Sequence, residues 1–212
     1  MASETEICNV ALSHIRAGRI NSLDDNTEQS RQCKTLYPLL RDQMLMDNPW
    51  PFATSVKPLV LTTKEVFGYA FVYKYPVDCL YIDQLLPEYL DVESNEGLAQ
   101  RMENVRLENF KIPYEVMNID GEKVIVTNYA DMRIKYRKEV TDTSLFTPQF
   151  TMTLSYLLAA NLVIPLSGME KGRAMQQDNY QLYESYLKNA IAASINQQYQ
   201  PPRESDFVSV RR

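Results

Sequence analysis

The segment from Arg31 to Ala53, RQCKTLYPLLRDQMLMDNPWPFA, limits the fold more than any other, because a helix-period run stops on Asn48-Pro49-Trp50-Pro51. Two prolines flanking one residue cannot continue a helix, since each fixes φ and removes a backbone N–H. The only tryptophan of the chain lies between them. Ahead of the stop, Leu36, Leu40 and Met44, with Cys33, Tyr37 and Met46 nearby, recur at three- and four-residue spacing, which makes one apolar stripe on a helix ending near Asp47. Pro38 lies inside this run, so a bend is expected near Thr35 to Tyr37. Beyond the stop, YAFVYKYPVDCLYI places Tyr69, Phe71, Tyr73 and Tyr75 at every second position, the period of a strand with one aromatic face. The chain therefore changes from helix to sheet around Trp50.

The flanking segments extend this pattern. Ile7, Cys8, Ala11, Leu12 and Ile15 mark a short amphipathic helix over residues 4–17. Asp25, with Glu28 three residues on, predicts a capping box for the second helix. Leu59 to Thr63 opens a β region, and Asp120-Gly121, between Tyr114–Ile119 and Lys123–Tyr129, is the clearest hairpin turn. In the next strand Met132, Ile134 and Tyr136 alternate with Arg133, Lys135 and Arg137, giving one apolar and one basic face. Acidic residues dominate the expected loop from about Asp83 to Asn109, where Glu96 to Leu107 is compatible with helix or a flexible segment. Thr147 as N-cap and Pro148 in the first turn restart helix. The run Phe150 to Leu166 approaches membrane-span length, but Thr151, Thr153, Ser155, Asn161 and Pro165 argue for a buried protein helix. After Ser167-Gly168 a last helix over residues 170–195 carries a seam of Tyr180, Tyr183, Leu187, Ala190 and Ser194.

These readings add up to an α+β fold: residues 1–50 and 147–196 form a helical bundle, and residues 51–146 form an inserted antiparallel β domain. Residues 197–212, with Tyr199, Pro201-Pro202 and a DFVSVRR end, cannot build a core and are expected to order only against a partner.

Composition narrows the function. At 212 residues the chain buries about 70% of its unfolded surface. A net charge of −5 lacks the basic excess of a tight nucleic-acid binder, so sequence-specific DNA recognition is not expected. Cys8, Cys33 and Cys79 form no CxxC pair and have one histidine, His14, for company, so no metal or cofactor is expected and the thiols read as buried and reduced. The start MASETEICNV has no apolar core of a secretion signal, consistent with synthesis in a cytoplasm. Fourteen tyrosines against six glycines suit either half-buried strands or interfaces that must also tolerate water.

Enzymatic readings find little support. A glycosidase needs two carboxylates at fixed separation, and Asp24-Asp25 is better explained by capping. His14 has no serine elbow near it in sequence, and neither a Walker loop nor a dinucleotide fingerprint occurs. Trp50 reads either as an anchor between subunits or as a plug beneath the bundle. The basic row Arg133, Lys135 and Arg137 fits a neighbouring subunit's acidic loop, a solvated strand face, or DNA.

The order of these pieces carries a resemblance. Ile7-Cys8-Asn9 with Ala11-Leu12, then Ile20, Ser22, Leu23 and Asp24, Arg41-Asp42, Pro49-Trp50, the Tyr-Pro-x-Asp-Cys-Leu step from Tyr75 to Leu80, Phe146-x-Pro148-x-Phe150 and Leu157-Leu158-Ala159-Ala160 together resemble the tail tubular protein A family of short-tailed phages. The resemblance covers most of the chain. It departs at Arg16, where relatives tend to have glycine. It implies a helical body with a β-barrel or sandwich-like domain, no enzymatic activity, and a head-to-tail adaptor. Such an adaptor forms a ring, dodecameric in the family, between portal protein and tail nozzle protein in the virion, and lines the channel through which genomic DNA leaves. On this reading Arg133, Lys135, Arg137 and Trp50 face neighbouring subunits, and Tyr199, Phe207, Val208, Val210 and Arg211 bind the portal. The alternative is a tail-associated cell-wall or polysaccharide hydrolase.

Overall fold

The computed structural model describes residues 2–87 and 112–196. In order, these form α1 (Glu4–His14), α2 (Glu28–Asp47), a 3-10 turn (Pro51–Ala53), β1 (Thr54–Pro58), β2 (Phe71–Lys74), β3 (Cys79–Pro87), β4 (Glu115–Ile119), β5 (Glu122–Thr127), β6 (Met132–Lys138), a second 3-10 turn (Thr143–Leu145), α3 (Pro148–Ser167) and α4 (Met169–Asn196). The fold is α+β, with two antiparallel three-stranded sheets ordered β1-β6-β3 and β2-β5-β4. Two compact units divide the chain. One spans Pro38–Leu145; the other joins Ala2–Tyr37 to the chain from Phe146 onward. The division falls inside α2, which continues through Pro38 without a break, and not at Trp50.

In the strand-bearing unit, one core draws on both sheets: Ile82, Leu85, Met132, Ile134 and Tyr136 from the first, Tyr73 and Ile125 from the second. β6 supplies its three members at alternate positions, as the sequence pattern predicts. β3 does not alternate. A register shift between Ile82 and Gln84 inserts Asp83 as a bulge, so Ile82 and Leu85, three apart, both point into the core. Asp83 to Pro87 therefore belong to a strand and not to the acidic loop; the loop's remaining acids lie outside the described residues. The second sheet is apolar on both faces, because Val72, Val124 and Val126 form a separate cluster covered by Val66, Tyr69, Met117 and Ile119. Tyr69 thus leaves the aromatic row expected with Phe71, Tyr73 and Tyr75. It sits in a turn with Val66 and Gly68, whose φ of 91° suits glycine. Leu59 to Thr63 forms no regular strand, although Thr62 and Val60 bond to Val72 and Lys74 along the edge of β2. Pro58 is tolerated because β1 is an edge strand. The β4–β5 hairpin closes on Asp120 (φ 52°) and Gly121 (φ 81°), the paired positive φ of a two-residue turn.

In the helical unit, α3 packs on α1 and α4. It is long and apolar enough to cross a membrane by composition, yet Phe150, Leu154, Leu157, Leu158, Leu162 and Val163 are buried within the protein. Gly168, with φ 76°, ends it, and Gly172 lets α4 pass close to Ile164, where a Cβ would lie 3.4 Å from the Ile164 Cα. α1 begins with a capping box: Glu6 N–H donates to Ser3 Oγ at 3.2 Å, and Ser3 N–H to Glu6 Oε2 at 2.7 Å. The helix ends at His14, and Arg16 adopts φ 56°, a left-handed conformation that costs a residue with a Cβ roughly 1 kcal/mol. The buried Asn9 side chain fixes the following loop by exchanging two 2.9 Å hydrogen bonds with the Ile20 backbone.

The cap of α2 differs from expectation. Thr27 Oγ1 accepts from Ser30 N–H at 3.2 Å, whereas Asp25 accepts from Asn21 and Ser22 N–H at 2.8 and 3.1 Å and so closes the preceding loop.

Candidate assembly surface

β6 is the central strand of the first sheet, so the face it shows outward is set by its neighbours on both sides. Lys135 stands opposite Val56 of β1 and Gln84 of β3; Arg137 stands opposite Thr54 and Tyr81; Arg133 stands opposite Pro58 and Leu86. Val56 and Tyr81 are each 48% exposed. The face thus combines a basic row with apolar and aromatic flanks, a composition suited to protein contacts.

The basic row is not uniform. Arg137 reaches Asp83 Oδ1 through Nε at 3.0 Å and Nη2 at 2.9 Å, and the two side chains are only 13% and 18% exposed. Its Nη1 donates to the Met46 carbonyl, and its guanidinium lies 4.6 Å over the Tyr81 ring. The bulge at Asp83 is what brings that carboxylate to Arg137. Arg137 is therefore a staple between β6, β3 and the carboxyl end of α2. Arg133 is half-buried and already has a partner. Lys135, also half-buried, has no ion pair among the described residues.

Trp50 departs from its expected place at a subunit interface. It is 1% exposed within the single chain, and its indole N–H donates to the Met44 carbonyl at 2.8 Å. Met44 and Met46 lie in the last turn of α2, where backbone carbonyls lack helical partners, so Trp50 and Arg137 jointly close that helix end. A side chain this enclosed cannot meet another subunit without leaving its own core; Trp50 is a plug. Tyr199, Phe207, Val208, Val210 and Arg211 lie outside the described residues.

A polar cluster edges the other face of this sheet. Tyr136 Oη donates to the Asp78 carboxylate at 3.0 Å, and Lys57 Nζ pairs with it at 3.1 Å. Desolvation pushes the Asp78 carboxyl up, but the hydrogen bonds from Lys57 and Tyr136 outweigh it and hold it below the ordinary carboxylate range.

The residues weighed for catalysis are placed differently. Asp24 is an exposed partner of Lys34 at 2.6 Å, with its carboxyl lowered by that hydrogen bond. His14 stacks on Tyr156, with centroids 4.2 Å apart and planes at 10°, and its Nε2 lies 3.2 Å from the buried Ser155 Oγ. Ser155 in turn donates to the Met152 carbonyl at 2.7 Å, the arrangement of a hydroxyl satisfied by its own helix. Tyr156 continues to Tyr186 at 4.8 Å, so His14 begins an aromatic ladder through α1, α3 and α4. Cys8 and Cys33 are fully buried, and hydrogen bonding to Cys33 together with burial raises the Cys8 thiol. No group of three or more His, Cys, Asp or Glu side chains able to hold a metal occurs among the described residues.

Burial lowers the pKa of His14 from its ordinary 6.5. The unfolded chain then takes up the proton more readily, so this contribution to stability is complete above pH 6.5 and declines as pH falls from there through the lowered folded value. Urea unfolding midpoints should drop between pH 7.5 and 5.5, and His14→Gln should remove part of that drop. As His14 is the only histidine, an identical pH slope in the variant would contradict its neutral burial.

No protein-family model matches the chain, and no curated protein matches it. Sequence reasoning located the basic face but missed Tyr81 and Val56 as its flanks. The signal was available in the strand periods of β1 and β3, but the bulge at Asp83 shifts the second of them.

Proposed function

We propose that this chain is a structural head-to-tail adaptor of a short-tailed phage, a subunit of a ring between portal and tail nozzle that lines the DNA exit channel and performs no chemistry. The observation that carries the reading is α4. This 28-residue helix buries Gly172, Asn179 and Ala190 but leaves Met169, Tyr180 and Leu182 61%, 46% and 44% exposed. Tyrosine and aliphatic side chains on an outward helix suit a subunit that is stable alone and buries more surface on assembly.

Closed rings use two different surfaces of each subunit, one toward each neighbour. In this proposal the sheet face around Lys135, Val56 and Tyr81 meets one neighbour and the exposed side chains of α4 meet another. A net charge of −5 per subunit favours passage of DNA over retention, because many acidic copies around a channel repel phosphate. In this proposal the segment holding Tyr199, Phe207, Val208, Val210 and Arg211 docks on the portal.

The test is to mix the purified chain with the portal ring of the same genome and weigh the product by native mass spectrometry. A complex carrying many copies per portal is expected. A well-folded chain that ignores an intact portal would overturn the proposal.

A further inference from the structure

The open end of the β4–β5 hairpin holds a second feature. Pairing of Glu115 with Val126 brings the chain ahead of β4 beside the chain after β5, where Thr127 Oγ1 donates to the Pro113 carbonyl at 2.9 Å. Asn128 Oδ1 accepts from Ala70 N–H at 2.8 Å, which ties in the turn carrying Tyr69. Tyr73 Oη donates to the Tyr129 carbonyl at 3.1 Å. These three ties frame a cleft of about 440 Å³ lined by Tyr69, Pro113, Tyr114, Glu115, Asn128 and Tyr129.

Three tyrosines and a proline make the walls apolar, while the exposed Glu115, which already accepts a hydrogen bond from the Tyr69 hydroxyl, and Asn128 place one anion and one amide at the rim. The Asn128 Nδ2 has no acceptor among the described residues. Tyrosine-lined grooves with a few rim donors recognise polyproline II strands: proline rings fill the slots between aromatic rings, and the strand's carbonyls, which lack internal partners, accept from the rim. An acidic rim residue adds preference for a basic residue beside the prolines.

The chain contains one Pro-Pro step, in Gln200-Pro201-Pro202-Arg203, which lies beyond the last described residue, Asn196. We propose that the Tyr69–Tyr114–Tyr129 cleft binds the Pro201-Pro202-Arg203 segment of a second copy of this chain, with the prolines between the tyrosines and Arg203 on Glu115. The groove chemistry stands by itself; that the segment comes from a second copy rests on the ring reading. Such a contact would thread each subunit to its neighbour and take Tyr199 with it, while Phe207, Val208, Val210 and Arg211 stay available for the portal.

The experiment uses the full chain carrying Pro201→Ala and Pro202→Ala, labelled with nitrogen-15, and a synthetic peptide of residues 197–206. Saturable amide shifts should concentrate at Tyr69, Tyr114, Asn128 and Tyr129, and a peptide with both prolines replaced by alanine should bind at least about tenfold more weakly. Glu115→Lys, a surface change, should weaken the native peptide, and Arg203→Glu in the peptide should restore it. In the unsubstituted chain the same signals should shift with protein concentration. Absent shifts, equal binding by the alanine peptide, or groove signals independent of concentration would overturn the proposal; so would a cell-wall oligosaccharide saturating the cleft where the peptide does not. A chain that binds peptide but not portal sinks the adaptor reading and keeps the groove, and the reverse result does the opposite.

Discussion

Trp50→Ala should destabilise the chain by about 4 kcal/mol, the loss expected when a large, fully enclosed aromatic side chain is truncated and its space only partly refills. That is a large share of the roughly 5–15 kcal/mol that holds a domain together. The indole is 1% exposed and bonds to the Met44 carbonyl at 2.8 Å, so the variant loses both burial and the closure of the α2 end. Trp50→Phe keeps most of the apolar volume and should lose far less, about 1–2 kcal/mol, mainly through the unmet carbonyl. Urea unfolding followed by circular dichroism measures both, because the fluorescence of the only tryptophan disappears with it. A Trp50→Ala chain of native stability that merely fails to assemble would return Trp50 to the interface.

The second large effect concerns Arg137. Arg137→Ala should cost about 3 kcal/mol, since it leaves the Asp83 carboxylate, 18% exposed, without its cation and strips a donor from the Met46 carbonyl. Lysine should rescue little, because one ammonium cannot hold Asp83, cap a helix and stack on Tyr81 together. Asp83→Ala should add little to Arg137→Ala, as both remove one pair. Additive losses in that double-mutant cycle would contradict the staple. Lys135→Ala should leave stability within about 0.5 kcal/mol, as expected of a cation with no ion pair among the described residues.

The contrast between Lys135 and Arg137 shows how far the sequence could be read. Strict alternation in β6 identified the inward residues Met132, Ile134 and Tyr136, and Asp120-Gly121 identified the hairpin, because period-two patterns and positive φ are local properties. Which outward residue is covered is not local. Arg137 is occupied because the carboxyl end of α2 and a bulge in β3 both arrive at it. A pattern that tells one face of a strand from the other carries no information about what lies over that face. Trp50 was ambiguous for the same reason: its flanking prolines fix the chain's path but do not reveal that the Met44 carbonyl is within reach. The expected cap at Asp25 failed more simply, since Thr27 is a competent N-cap two residues closer to the helix.

The division of the chain also bears on the order in which it is made. The helical unit consists of Ala2–Tyr37 and the chain from Phe146, so α1 leaves the ribosome before the helix it packs on has been translated. The strand-bearing unit, continuous from Pro38 to Leu145, has all its own residues available first. At ordinary translation rates of about 5–20 residues per second, α1 waits several seconds for α3, with Ile7, Cys8, Ala11 and Leu12 still lacking it. The capping box at Ser3 and Glu6 is wholly local, so it favours those first turns during that interval, although a helix of 11 residues is not held by a cap alone.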